Sequence, residues 1–258
     1  MSRSHTPEQN KEKSKTQFDA KTCKACLDLL GQVDDQLSAL PLGAEVLLAV
    51  GTTGAGKSTL IAWLRGKKIT LKGHSSLEKK YEAEIQDGGP VIGHGESQTI
   101  IPAVYIVSTQ PEVRIADSAG FGDGRGDRHV IAAAYGMNGL ARRARIAGLV
   151  VVVWWSYFKG GRATELSVLF RNIADLIPED QMPNMTFFIT AMEDIAGEDA
   201  ALIAELVQKA RQTSEQWKRA TQPQKMIDCI NCMTADNIFL VRDPTNVQQQ
   251  HANRTRFF

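Results

Sequence analysis

Three glycines, a lysine and a serine close a short apolar run in EVLLAVGTTGAGKSTLIAWLRG, Glu45 to Gly66. Gly51, Gly56, Lys57 and Ser58 stand at the spacing G-x-x-x-x-G-K-S, the pattern of a loop that wraps phosphates when a strand precedes it and a helix follows. Across Gly51, Thr52, Thr53, Gly54, Ala55 and Gly56, the glycines let backbone N–H groups turn inward around phosphate oxygens. The Lys57 ammonium reaches the terminal phosphates and the Ser58 hydroxyl is a ligand for Mg2+. Thr59 completes the binding candidates and continues into a helix whose N-terminal end adds positive potential.

A metal held on one side by Ser58 needs a second oxygen from a neighbouring strand. VRIADSAGFGD supplies it. Asp117 closes an apolar run, where its carboxylate can bind Mg2+ directly or through water, and Gly120 can present its N–H to a terminal phosphate. A strand-ending cap is the plain alternative for Asp117, and the D-x-x-G spacing downstream of such a loop favours the metal role.

These groups need elements to hold them. Apolar runs at 45–50, 101–108, 112–117, 148–155, 185–190 and 237–241 alternate with helix-like stretches at about 57–67, 127–146, 163–177, 198–219 and 224–233. Near-continuous apolar runs read as strands covered on both faces, and alternation with helices reads as right-handed crossovers. The expectation is a three-layer α/β domain over 44–258 with a mostly parallel sheet of about six strands. One strand is antiparallel. Only Thr109, Gln110 and Pro111 separate 101–108 from 112–117, too few for a crossover, so the two form a hairpin.

Ahead of this domain, Phe18, Cys26, Leu29, Leu30, Val33, Leu37 and Leu40 recur at helical spacing and predict an amphipathic helix over 18–43, ended by Pro41 and Gly43. Residues 1–17 are charged and nearly devoid of large apolar side chains, which predicts a flexible tail. Within Lys67 to Glu96, SSLEKKYEAEI fits a helix or an extra strand. Only 17 residues follow Val241, short for a closing helix. Helix 18–40 is therefore expected to cover that surface, unless the chain is a fragment of something longer.

GTTGAGKS and DSAG are similar to the first and third motifs of the P-loop GTP-binding proteins. More closely, GESQTIIP, DSAGFGDGRGD and ITAMED resemble the AIG1/GIMAP, septin and dynamin-like group of TRAFAC-class G domains, over about residues 45–242. The resemblance implies a P-loop NTPase fold, GTP or GDP with Mg2+ as cofactors, and hydrolysis that uses Lys57, Thr99 and Gly120. It makes Thr99 the switch threonine that senses Mg2+ and the terminal phosphate, so that Ser58, Thr99 and Asp117 form the metal set. A surface-loop threonine is the other reading of Thr99.

The same resemblance puts Ala191-Met192-Glu193-Asp194 where the family reads guanine. A carboxylate there accepts two hydrogen bonds, from N1 and the exocyclic N2 of guanine, a donor pair that adenine lacks. Asp194 is the base-selecting candidate, with a plain helix-start aspartate as the alternative. Ala191 and Met192 depart from the family pattern, although a methionine can pack on a purine ring. Phe121 stands where small GTPases commonly carry a water-orienting glutamine, which implies slow intrinsic turnover. The resemblance also implies a nucleotide-dependent homodimer across the nucleotide face, where Arg125, Asp127 and Arg128 lie in a loop able to meet a partner. Gly160, Gly161 and Arg162 resemble the border of that contact, but an ordinary glycine turn before an amphipathic helix is the favoured reading, and no role is assigned to them.

All four cysteines fall into two C-x-x-C pairs, Cys23 with Cys26 and Cys229 with Cys232. Four thiolates suffice for zinc, but the separation of the pairs, the lack of knuckle glycines or prolines and their helical setting favour apolar packing. Helix 18–40 in the closing position would bring the pairs near each other.

Thirty basic against 29 acidic residues create no global field for nucleic acid or an anionic membrane. The longest apolar run, Ile146 to Phe158, is far short of the roughly 20 residues of a membrane span. The start is polar and not signal-like, so an intracellular protein is expected. The reading is a Mg2+-dependent guanine-nucleotide-binding protein, a slow GTPase that switches or self-assembles. A non-hydrolysing nucleotide-bound interaction module, or a P-loop ATPase or small-molecule kinase, are the alternatives.

Overall fold

The computed structural model describes residues 20–72, 80–83, 102–120, 127–159, 163–178, 182–190, 192 and 195–258. In chain order the first elements are α1 (Ala20–Ser38), β1 (Ala44–Val50), α2 (Lys57–Leu64), β2 (Ile69–Lys72), β3 (Lys80–Ala83), β4 (Ala103–Thr109) and β5 (Glu112–Asp117). Then come α3 (Asp127–Arg143), β6 (Ala144–Trp154), a short 3-10 turn (Trp155–Phe158), α4 (Ala163–Leu176), β7 (Asn184–Thr190), α5 (Asp199–Arg219), α6 (Gln224–Asn231), β8 (Ile238–Leu240) and α7 (Val247–Phe257). The main sheet runs β4-β5-β1-β6-β7-β8.

Period-2 burial divides the core between the two faces of this sheet. Val46, Leu48 and Val50, with Leu149, Val151 and Val153, join Met185, Phe187 and Ile189 in a core that takes in residues of α1, α3, α4, α5 and α6. The residues between them, Ala49, Val150, Val152, Phe188 and Phe239, face Leu60, Ile61, Trp63 and Leu64 of α2, with Phe257 of α7 packed alongside. Strands buried on both faces explain the unbroken apolar runs. They also give the three-layer α/β architecture expected from the sequence.

Within the main sheet the pairing is parallel except for β4, which runs antiparallel to β5 as the two-residue connection Gln110-Pro111 requires. Leu48 pairs with Ala116 and Ala49 with Asp117, so the carboxyl ends of β1 and β5 finish side by side. Val50 pairs with Val151, which brings the end of β6 to the other flank of the same corner.

Three features differ from or sharpen the expectation. Helix α3 stops at Arg143, not near 146, because Ala144 and Arg145 already pair with Ala44 and Glu45 of β1. The stretch after Lys67 forms an antiparallel pair, with Ile69 opposite Ala83 and Lys72 opposite Lys80, so the strand alternative holds for Lys80–Ala83. The closing surface is covered by α7, not by α1. Asn246 caps α7 through Gln249 N at 3.0 Å, and Gln250 Nε2 donates to Trp63 O at 2.7 Å and Lys67 O at 3.1 Å.

Helix α1 lies instead against α3. Val33 and Leu37 are buried there, Tyr135 Oη donates to Asp34 Oδ1 at 3.0 Å, and Arg143 Nε donates to Leu40 O at 2.6 Å. The approach is close enough that a Cβ on Gly139 would sit 2.5 Å from Leu37 Cδ1, and one on Gly136 would sit 3.4 Å from Val33 Cγ1. The expected tail, residues 1–17, lies outside the described residues. No helix among the described residues is long and apolar enough to cross a membrane.

Candidate phosphate-binding site

The segment Gly51–Gly56 leaves β1 and delivers the chain into α2 at Lys57. Gly54 and Gly56 have φ of +80° and +92°, a left-handed conformation that side-chain-bearing residues rarely adopt. Gly51 is demanded by proximity, since a Cβ there would meet Val152 O at 2.6 Å. Ala55 is fully buried and its N–H donates to Thr52 O at 3.2 Å, closing the turn.

Lys57 is buried, and its Nζ donates to Gly51 O at 3.2 Å and Thr52 O at 3.0 Å. An ammonium buried in this way is tolerated because its donors meet oxygens. Those two carbonyls hold the head group over the hollow of its own loop. Ser58 and Thr59 are half-buried in the first turn of α2. Ser58 Oγ donates to Asp117 Oδ2 at 2.7 Å across 59 residues of sequence, and Asp117 is 1% exposed.

Gly120 closes the third side. A Cβ on it would lie 2.6 Å from both Thr53 Cα and Thr53 N, so the D-S-A-G turn is seated directly on the phosphate loop. The structure thus brings together the whole of Gly51–Thr59, Asp117 and Gly120. Thr99 and Asp194 lie outside the described residues, as do Ala191, Phe121, Arg125 and Gly160 to Arg162. Met192 is described, and it is fully buried in the core that also holds Ile189 and Leu202, a packing residue and not a platform open to a ring.

Three hydroxyls support the loop. Ser118 Oγ donates to Ala49 O at 2.6 Å, and Thr190 Oγ1 donates to Ala55 O at 3.0 Å. Tyr157 Oη and Thr52 Oγ1 share a hydrogen bond of 2.8 Å. Each sits at the carboxyl end of a strand flanking β1, or one strand further on, where an α/β sheet places its ligands. A hydroxyl just past a buried strand is the sequence signal that could have found them.

The oxygen donors suit a hard divalent ion. A hydroxyl and a carboxylate, 2.7 Å apart, supply two oxygens, and a magnesium ion commonly takes its remaining ligands from water and phosphate. Among the described residues no group of three or more His, Cys, Asp or Glu side chains could hold a metal by itself, the four cysteines included. None of the four cysteines is joined in a disulfide. Cys229 is buried on α6 with its thiol pushed up to about 12, first by burial and then by Cys232 and Asp228.

No family model and no curated protein matches this chain. Among solved structures it is similar to two single-residue variants of SsGBP, each at 14% identity over 93% of this chain, with TM-scores of 0.42 and 0.43. The chain covers 62% and 64% of those two chains, less than two thirds of their length. It is also similar to the G domain of the T. maritima FeoB iron transporter, at 13% identity over 82% of this chain and 99% of that one, with a TM-score of 0.31. With one antiparallel strand beside a parallel sheet, the phosphate-loop segment after β1 and Asp117 closing β5, the architecture is of the P-loop G-domain type.

Proposed function

We propose that this chain is a Mg2+-dependent guanine-nucleotide-binding protein, a slow GTPase that acts as a nucleotide-dependent switch or self-assembling GTPase. The observation that carries this is the joining of Ser58 to Asp117 at 2.7 Å beside a lysine held over its own loop. The inward amides of Gly51–Gly56 and the Lys57 ammonium bind the β- and γ-phosphates. Ser58 and Asp117 hold the magnesium ion, with Thr99 as its switch ligand. A bound magnesium ion supplies positive charge to the phosphoryl oxygens as negative charge develops on them. Gly120 presents its N–H to the terminal phosphate, and Asp194 accepts from guanine N1 and N2.

Phe121 cannot hydrogen-bond a water, which supports slow turnover in the isolated chain. The same residue favours a second reading, a module that binds guanine nucleotide without hydrolysing it. A homodimer across the nucleotide face would supply what the isolated chain lacks. Four cysteines outside any disulfide fit an intracellular setting.

Phosphate release measured against protein concentration decides between the two. A rate per molecule that rises with concentration supports the self-assembling GTPase, and a rate at the uncatalysed level throughout leaves the module.

A further inference from the structure

Tyr157 belongs to none of the motifs that define the loop, yet its hydroxyl lies 2.8 Å from Thr52 Oγ1. It sits in the 3-10 turn Trp155–Phe158, which begins where β6 ends on the flank of β1. Its neighbour Trp154 packs against it, with ring centroids 5.9 Å apart. The Trp154 ring also passes 3.7 Å from where a Gly54 Cβ would stand. The two aromatic residues therefore wall the outer side of Thr52 to Gly54.

Thr52 is held at both ends. Its side chain meets Tyr157, while its carbonyl accepts from Lys57 Nζ at 3.0 Å and from Ala55 N at 3.2 Å. That carbonyl helps to aim the ammonium, so whatever orients Thr52 orients Lys57. We propose that Tyr157 is a positioning residue for phosphate binding, acting through Thr52 on the Lys57 ammonium. The inference rests on the nucleotide-binding reading above. Tyr157 has an ordinary reason to be there as well, because its ring is buried in the core beneath α4. The hydroxyl is what the core does not need. Removing it as Tyr157→Phe keeps the ring and isolates the hydrogen bond.

The test is an equilibrium titration with GTP, GDP and GMP in Mg2+, for the wild type, Tyr157→Phe, Thr52→Val and the double variant. One hydrogen bond contributes about 0.5–1.5 kcal/mol, or about 2- to 12-fold. Each single variant should weaken GTP and GDP by about that factor, and the double variant by no more than either single. GMP, which carries no phosphate within reach of Lys57, should bind each variant as it binds the wild type. Wild-type GTP affinity in Tyr157→Phe, an equal loss for GMP, or losses that multiply in the double variant would each overturn the inference. If the wild type prefers ATP, the same series with ATP, ADP and AMP decides the inference while the guanine assignment falls. A wild type that binds no nucleotide overturns both.

Discussion

Ser58 Oγ donates to Asp117 Oδ2 at 2.7 Å, joining the first turn of α2 to the carboxyl end of β5. The pairing of Ala49 with Asp117 makes this contact geometric necessity, because β1 and β5 release their chains at the same level of the sheet. The bond is charge-assisted and buried at the carboxylate. Asp117→Asn preserves the shape and removes the charge. Hydrogen bonds to charged groups contribute about 1.5–3 kcal/mol, so affinity for a nucleoside triphosphate in Mg2+ should fall by about 10- to 100-fold. Affinity in EDTA should change far less. Parallel titrations with and without the metal check this, and an equal loss in both would remove Asp117 from the proposed metal site.

Gly120 cannot take a methyl group without displacing the phosphate loop, because its Cβ would lie 2.6 Å from Thr53 N and Cα. Backbone cannot swing aside as a side-chain end can. Gly120→Ala should cost about 1–3 kcal/mol of stability, the usual range for overpacking. It should also weaken triphosphate more than diphosphate if Gly120 presents its N–H to the terminal phosphate as proposed. Denaturant unfolding and a GTP-to-GDP affinity ratio measure the two effects.

Helix α7 closes the α2 face with a small aromatic cluster. The Phe257 ring lies 5.4 Å from Phe188 and 5.8 Å from Phe239. Phe257 is half-buried. Phe257→Ala should therefore cost about 2 kcal/mol, below the 3–5 kcal/mol of a fully buried phenylalanine. Gln250→Ala should cost a comparable amount, since it strips Trp63 O and Lys67 O of their shared donor. Urea midpoints at constant slope report both.

Alkaline pH should unfold the chain earlier than its carboxylates would suggest. Burial pushes the Cys229 thiol from 9.0 to about 12, and burial with the nearby Asp117 charge pushes the Tyr105 hydroxyl from 10.0 to about 12. Both groups ionise more readily in the unfolded chain than in the folded one. Their contribution is complete below pH 9 for Cys229 and below pH 10 for Tyr105, and it is lost as pH rises toward 12. Tyr105→Phe should flatten the fall between pH 10 and 12. At neutral pH the exposed Cys23 should alkylate first and the buried Cys229 only on unfolding, as peptide mapping after iodoacetamide would show.

The layer order and the phosphate loop were readable because their signals are local. Apolar runs such as Leu149 to Val153 announce strands buried on both faces, and G-x-x-x-x-G-K-S fixes a turn, a cation and a hydroxyl within eight residues. Strand order brought Asp117 to Ser58 without any pattern linking them directly. What escaped the sequence depends on long-range contact. Helix α7 is polar along most of its length, with Gln250 its only buried side chain among those described, so no apolar period marked it. Its hold comes from Gln250, Asn253 and the terminal phenylalanines meeting distant carbonyls and rings. Met192 falls within ITAMED, yet its fully buried side chain makes it a core residue. Tyr157 was invisible as a loop partner because 105 residues separate it from Thr52.

Calorimetric titration of the purified chain with GTP and with ATP, in Mg2+ and beside a Lys57→Ala control, decides whether the Lys57 loop binds a guanine nucleotide. Saturable binding of one GTP per chain is expected, with much weaker binding of ATP and no heat from the Lys57→Ala variant. Absence of binding to the wild type, or equal binding by Lys57→Ala, would contradict this expectation.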